Sequence, residues 1–335
     1  MSVFPRVAIL GTGMIGGSLA AALRARMPAV ERIGFGVEPD ISRAMVLGLF
    51  DRRAASVAEA VREADLVVLA APISVNCALL PEILAHMPAH AVLTDVSSVK
   101  APIVTALRQA VQESDPVATV QPQPRHLADE MVPATFPAAR QPADMAGQQG
   151  SQSGCAQPAL PPAAMQVLRR FVASHPIAGS ERAGPDAAEP ALFADRRVIL
   201  SVLPESDAGV VERLRDFWSG LGSMVELMPV DVHDRVYARI SHWPHAVAFA
   251  LASAVARDTE SASAYAGKGL LDTTRIAASS PGLWADILVH NRDEVLAAAR
   301  SVRAELDAIE QALDASDRAR LASLFEPGAL WRRQH

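Results

Sequence analysis

Five short stretches of the chain gather the residue types that handle anions, protons and carboxylates. The first, GTGMIGGS, supplies Gly11, Gly13 and Gly16 in the pattern G-x-G-x-x-G. The first glycine permits a tight turn, the second lets the backbone approach a pyrophosphate, and the third lets a helix pack on a strand. Helix N-terminal N–H groups then meet the anion with partial positive charge. The bare pattern is weak, and a glycine-rich turn with no ligand is the alternative. Here it follows an apolar run, RVAIL, and precedes a small-residue helical stretch, which is the context dinucleotide binding requires.

The second stretch, TDVSSVK, places Asp95, Ser97, Ser98 and Lys100 just past another apolar run. Ligands of open α/β sheets bind outside the carboxyl ends of the strands, so these groups are aimed at a crevice; capping of the next helix by Ser97 or Ser98 is compatible with that. The third, SHPIAGSERAG, holds His175, Ser180 and Glu181 after an expected strand. Imidazole is the natural proton acceptor near neutral pH, although a histidine before a proline also serves as a plain structural residue. The fourth, HDRVYARISHWPH, carries His233, His242 and His245, and the fifth, DTTRIAASSPGLW, carries Arg275 and Trp284. The histidine separations do not match H-E-x-x-H and no cysteine joins them, so no metal is expected. Arg275, beside Thr273 and Thr274, suits bidentate binding of a carboxylate, or is a surface arginine at a helix start. Trp284 reads most simply as a core or interface residue.

These groups need a scaffold. Arg6–Leu10, Glu31–Val37, Asp65–Ala71 and Ala91–Val96 are short apolar runs, and Ser18–Met27, Val57–Ala64 and Val75–His86 between them have helical character. Strands apolar throughout and alternating with helices indicate a parallel sheet covered on both faces. The acid that grips the adenosine ribose is expected at the end of the second strand, about 20 residues past the glycines. Gly36 stands there, with Glu38 two residues later as a substitute. Without the acid, repulsion of a 2′-phosphate is relieved, but Val37 is not the arginine that would hold one. Glu38 tips the expectation toward NAD, with NADP possible.

From about residue 112 to 164 the periodicity stops. This tract holds nine of the 24 prolines with many Gln, Ser, Ala and Gly, and is expected to be a disordered surface insertion containing an incidental Cys155. Beyond it, Leu168–Ser174 leads into the His175 motif. Arg197–Leu203 and Ser223–Met228 read as strands flanking a helix, Ser206–Leu221. Asp231–Arg257 reads as a long helix interrupted at Pro244, Gly267–Thr273 as a loop, and Trp284–Leu313 and Arg318–Leu324 as helices. The expected fold is an α/β Rossmann-like N-terminal domain with a predominantly parallel sheet over 1–229, followed by an all-α C-terminal dimerisation domain over 230–335.

Composition bounds the function. The 335 residues carry a net charge of -6, against the basic stripe of a nucleic-acid binder. No apolar run approaches the ~20 residues of a membrane span, and no signal peptide opens the chain. Two cysteines exclude a disulfide scaffold. The residues are 50% hydrophobic but only 4% aromatic, so the core must be mostly aliphatic. A cytoplasmic enzyme is expected.

Taken together and in this order, GTGMIGGS, TDVSSVK, HPIAGSERAG, HD…SHWPH and DTTRIAASSP…W resemble the prephenate/arogenate (cyclohexadienyl) dehydrogenase family of tyrosine biosynthesis. The resemblance implies NAD(P)-dependent oxidative decarboxylation of prephenate to 4-hydroxyphenylpyruvate, or of arogenate to tyrosine. It implies that His175 takes the proton of the ring hydroxyl, that Ser98 lies between nicotinamide and substrate and orients His175, and that Arg275 binds a substrate carboxylate. His245, Glu181, Ser180 and Trp284 would line the substrate, with His233 as a supporting histidine. Gly11, Gly13, Met14, Ile15, Gly16, Glu38, Pro72, Asp95 and Ser98 would hold the cofactor. An intertwined homodimer is implied for the helical domain. Neither a chorismate mutase domain before the first strand nor a regulatory domain after Leu324 is expected, so tyrosine feedback would act in the cleft. Lys268 stands where the family often has glycine, and points to solvent or reaches the substrate's side-chain carboxylate. The alternatives are a β-hydroxyacid-type dehydrogenase of similar layout, disfavoured because the helical domain's one lysine is Lys268, and a non-catalytic NAD(P)-sensing module.

Overall fold

A computed structural model describes residues 3–113, 161–179, 182–257 and 265–335. Five parallel strands form the first sheet: β1 (Arg6–Leu10), β2 (Glu31–Phe35), β3 (Arg52–Arg53), β4 (Leu66–Leu69) and β5 (Val92–Asp95), in the order β3-β2-β1-β4-β5. The order reverses between β1 and β4, which opens a crevice at their carboxyl ends. Alternate residues of β1 serve opposite faces. Val7 and Ile9 join a core covered by α1 (Met14–Arg26), α2 (Asp40–Val46) and α7 (Ala208–Gly220). Ala8 and Leu10 join a core covered by α3 (Val57–Val61), α4 (Ile73–His86), α5 (Ala101–Glu113) and α6 (Pro162–Arg169). Both faces being dry is why the strand sequences show no alternation.

A second sheet continues the first. It contains β6 (Ala173–Pro176), β7 (Arg197–Ser201) and β8 (Met224–Leu227), with β6 antiparallel to β7 and β7 parallel to β8. The join is at Leu93 of β5, whose N–H donates to the Arg170 carbonyl at 3.0 Å while its own carbonyl accepts from Val172 N–H at 3.2 Å.

The described residues after β8 are helical: α8 (Val230–Tyr237), a π-turn over Ala238–His242, α9 (Trp243–Arg257), α10 (Lys268–Thr274), a 3-10 turn over Arg275–Ala278, α11 (Pro281–His290), α12 (Arg292–Asp314) and α13 (Arg318–Gln334). No helix among the described residues is long and apolar enough to cross a membrane.

Several expectations need correction. The helix after the glycine loop starts at Met14 rather than Ser18, because a glycine-rich sequence hides a helix start that N-cap Gly13 supplies. Helix α2 and strand β3 are too short to show periodicity. His175 lies on a strand, not after one. The supposed loop Gly267–Thr273 is mostly α10, where the Thr273 and Thr274 hydroxyls turn back to the carbonyls of Gly269 and Leu270, each at 2.8 Å. The long helix departs from α geometry before Pro244: proline has no N–H to donate one turn back, and the wide turn at Ala238–His242 absorbs the break. The expected insertion is too wide at both ends, since α5 runs to Glu113 and α6 begins at Pro162; residues 114–160, with Cys155, lie outside the described residues.

Candidate active site

The crevice between β1 and β4 is lined by the glycine loop, and its three glycines do different work. Gly11 has φ +111°, and a Cβ there would collide with the Ala70 backbone. At Gly16 a Cβ would collide with the Gly11 carbonyl, so only glycine lets α1 sit on the turn. At Gly13 a Cβ would meet nothing within 4 Å: the backbone faces open space at the start of α1. A helix N-terminus beside an open, side-chain-free stretch of backbone is what a pyrophosphate fits. Met14 and Ile15 form the first turn of α1, and Pro72 is the N-cap of α4 across the crevice.

At the end of β5 the chain is held from behind. Lys100 is fully buried; its Nζ donates to Asp95 Oδ2 at 2.6 Å and to the Ser174 carbonyl at 2.7 Å. Burial lowers the Lys100 pKa, while Asp95 and Asp234 oppose the shift. Asp95 is also fully buried and accepts the Ser97 N–H at 3.0 Å, so its carboxylate shapes the loop that carries Ser98. Asn76, equally buried, bridges the Ala71 backbone and Ser97 Oγ, tying the ends of β4 and β5 together.

His175 sits at the meeting point of sheet and helices. Its Nδ1 lies 2.8 Å from His233 Nε2, and His233 Nδ1 lies 2.8 Å from Asp234 Oδ1. The Asp234 carboxylate also accepts the N–H groups of Lys100 and Ala101, each at 2.8 Å, which caps α5. This chain fixes the tautomers. Asp234 as a carboxylate only accepts, so His233 carries its proton on Nδ1 and offers a lone pair at Nε2. His175 must then donate from Nδ1, which leaves its Nε2 as a lone pair. Burial, followed by the neighbouring His233, Lys100 and His242, holds the His175 pKa well below the ordinary histidine value. His175 is therefore neutral at pH 7. Tyr237 packs edge-on against its ring, with centroids 4.8 Å apart.

Two further histidines follow, His242 at the end of the π-turn and His245 in α9. His242 faces Asn291 Nδ2 at 3.0 Å, and that amide also donates to the Asp234 carbonyl at 2.8 Å. Burial pushes the His242 pKa down to about 4. His245 stacks on Trp284 with ring centroids 3.4 Å apart, and its Nδ1 donates to the Ser241 carbonyl at 2.9 Å. Burial, opposed by that hydrogen bond, lowers the His245 pKa, and the Arg275 cation lowers it further. Arg275 and Lys268 are exposed on the turn and helix that follow α9. Glu38 is exposed past the end of β2. Ser98 is half-buried; among the described residues no hydrogen bond joins it to His175, whose Nδ1 is taken by His233. Ser180 and Glu181 lie outside the described residues. Among the described residues, no three His, Cys, Asp or Glu side chains converge as metal ligands.

Sequence reasoning overlooked Asp234, Tyr237, Asn76 and Asn291. The one available signal was the pair His233-Asp234, a histidine with an orienting acid beside it in sequence.

Comparison with known proteins agrees across the chain. A family model described as prephenate dehydrogenase, nucleotide-binding domain, matches residues 19–122 and 156–227, and one described as prephenate dehydrogenase, dimerization domain, matches residues 229–327. The chain is 30% identical to the prephenate dehydrogenase of Bacillus subtilis over 96% of its own length and 73% of that protein. It is 28% identical to the cyclohexadienyl dehydrogenase of Zymomonas mobilis, covering 95% and 91% of the two chains. Among solved structures, prephenate dehydrogenase from A. aeolicus in complex with hydroxyphenyl propionate and NAD+ has a TM-score of 0.76 at 25% identity, covering 100% of this chain and 98% of that one.

Proposed function

The chain belongs to the prephenate dehydrogenase family, and from that premise we propose how its residues divide the work. It is an NAD-dependent dehydrogenase that converts prephenate to 4-hydroxyphenylpyruvate by oxidative decarboxylation in tyrosine biosynthesis. The observation that carries our assignment of the base is the chain Asp234–His233–His175. In this reading His175 Nε2 accepts the proton of the ring hydroxyl as hydride leaves the same carbon. A nicotinamide held by the glycine loop would supply the hydride acceptor, and loss of the ring carboxylate as CO2 would then yield the aromatic product. As His175 becomes an imidazolium it keeps its Nδ1–H on His233, whose ring is already oriented by Asp234, so little reorganises during the step.

Arg275 is assigned to a substrate carboxylate, with the His245–Trp284 stack forming one wall of the site. Ser98, held by the Asp95–Lys100 loop, lies toward the nicotinamide. Gly11, Gly13, Gly16 and the start of α1 take the pyrophosphate. The division at 229/230, where α8 begins, separates the sheets from the helical region, and the active protein is a homodimer through that region. Arogenate is a second substrate in this reading. The Ser241 carbonyl takes the Nδ1 proton of neutral His245, leaving an acceptor at Nε2 that suits an ammonium group.

Formation of reduced nicotinamide with prephenate, and separately with arogenate, tests the reading. His175→Asn is expected to lower kcat by about 10²–10⁴-fold while reduced-nicotinamide binding persists. Absence of turnover by the wild-type protein with either substrate and either cofactor would sink it.

A further inference from the structure

The carboxyl end of β2 is where this fold reads the adenosine ribose, and here it is built unusually. Gly36 offers no side chain. A Cβ on it would stand 2.5 Å from Thr12 Oγ1. Thr12 is 2% exposed, and its hydroxyl has no hydrogen-bond partner among the described residues. A β-branched residue is stiff at χ1, so Thr12 fills the place where an acid would start.

The charge has moved outward instead. The Glu38 carboxylate meets Arg53 Nη2 at 2.7 Å, and Ser42 and Arg53 together hold its pKa below the ordinary carboxylate value. Arg53 Nη1 donates to the Ser42 hydroxyl at 3.2 Å. Arg53 ends β3, in register with Gly34 of β2, so its side chain starts on the strand flanking the ribose position. Both ends of the ion pair are about half exposed, at 46% and 52%. Such a pair is held weakly. Arginine binds phosphate in bidentate fashion, and an adjacent serine adds a neutral donor.

We propose that Glu38, Arg53 and Ser42 form a two-state reader of the cofactor's 2′ position, so that the chain uses both NAD and NADP. With a 2′-hydroxyl, Glu38 accepts its hydrogen and stays paired with Arg53. With a 2′-phosphate, the dianion replaces Glu38 on Arg53 and Ser42. Preference is then set by this surface pair and not by residue 36. The inference rests on the nucleotide-binding reading of the glycine loop.

Fluorescence titration of NADH and NADPH into the substrate-free protein tests it without reference to turnover. Arg53→Ala is expected to weaken NADPH by about tenfold or more and to leave NADH within about twofold. Glu38→Gln is expected to shift the ratio the opposite way, weakening NADH and tightening NADPH. Gly36→Asp, which would install the usual acid, is expected to weaken both nucleotides because of Thr12. Equal effects of Arg53→Ala on both nucleotides, or an NADH preference gained by Gly36→Asp, would overturn the proposal while leaving the nucleotide site intact. If the wild-type protein binds neither nucleotide, the glycine-loop reading fails and the proposal fails with it.

Discussion

Helix α1 of the nucleotide-binding half buries Gly16 through Leu23 without a break, whereas α9 of the helical half, two residues longer and rich in Ala, buries Ala248 alone. The contrast widens toward the end of the chain. Helix α13 has no buried residue and exposes Phe325, Leu330 and Trp331, while α12 exposes Leu306 and Leu313. A helix apolar on most of its faces is a helix meant to be covered. The first half closes its two cores on itself; the second half leaves apolar faces uncovered, in keeping with the dimerization-domain model it matches. Yet the relay spans the two, with His175 on β6 and both His233 and Asp234 on α8. The open half therefore supplies the groups that orient His175.

Asp234→Asn breaks the comparison most directly. An amide at that position reverses the donor at His233 and disturbs the α5 cap. The expected result is a loss of kcat of about 10²-fold or more, within the range for misoriented general bases. A stability loss of about 1–3 kcal/mol should accompany it, from buried groups left unsatisfied. NADH binding should change little, because the glycine loop is built by the other half. Steady-state kinetics, urea unfolding and NADH titration separate these effects. Unchanged kcat would show that Asp234 serves only to cap α5 and not to orient His175.

The next effect concerns the uncovered faces. Leu306→Glu combined with Trp331→Glu places charge on two exposed apolar positions of α12 and α13. The proposed homodimer is expected to weaken by about tenfold to a hundredfold, the result of burying unpaired charge at an interface. Sedimentation velocity across a dilution series measures this. Leu107→Glu, the same change in the closed core, is expected instead to unfold the first half outright. If both variants remain dimeric and folded, the contrast in burial has no energetic meaning.

How much of this was legible beforehand follows from where the information lies. Strand β1 and the glycine loop announce themselves because apolar run, turn and helix are contiguous, and each glycine answers a local steric need at Gly11 and Gly16. The order of motifs in the helical half was also visible. What was hidden depends on residues that meet only in three dimensions. His175 and His233 are 58 positions apart, and nothing in either motif says that their rings touch. Asn76 and Asn291 are single amides with no spacing rule, although each stitches two elements. The Thr12–Gly36 contact joins two loops, so Gly36 looked like a simple loss of the acid when it is also a space already filled. Helix α10 read as a loop because Gly269, Thr273 and Thr274 lower helix propensity, and hydroxyl-to-carbonyl bonds within the helix do not appear in a propensity sum.

The smallest effect is a pH dependence, and it sharpens where the two halves are joined. Unfolded, His175 and His242 take up protons near pH 6.5. Folded, His242 does so only at about 4, and His175 well below the ordinary value, in both cases chiefly because of burial. Between those limits the unfolded chain binds more protons than the folded one. Stability must therefore fall as pH drops from 6.5 toward 4. Surface carboxylates of the first half behave differently. Arg32 holds Asp51 below its usual value of 3.8, and Arg169 does the same for Asp207, so their contribution is lost only at more acidic pH. The acid response thus has two windows, the upper one belonging to the junction. Hydrogen exchange at pH 7 and pH 5, corrected for the intrinsic pH dependence of amide exchange, should show lower protection at pH 5 in α8 and the first turn of α5, with protection in β1 and β4 unchanged. In His242→Asn the slope of unfolding free energy over that range should shrink. A uniform loss of protection across both halves would mean that the junction is no weaker than the sheet, and that the relay histidines are not what couples them to pH.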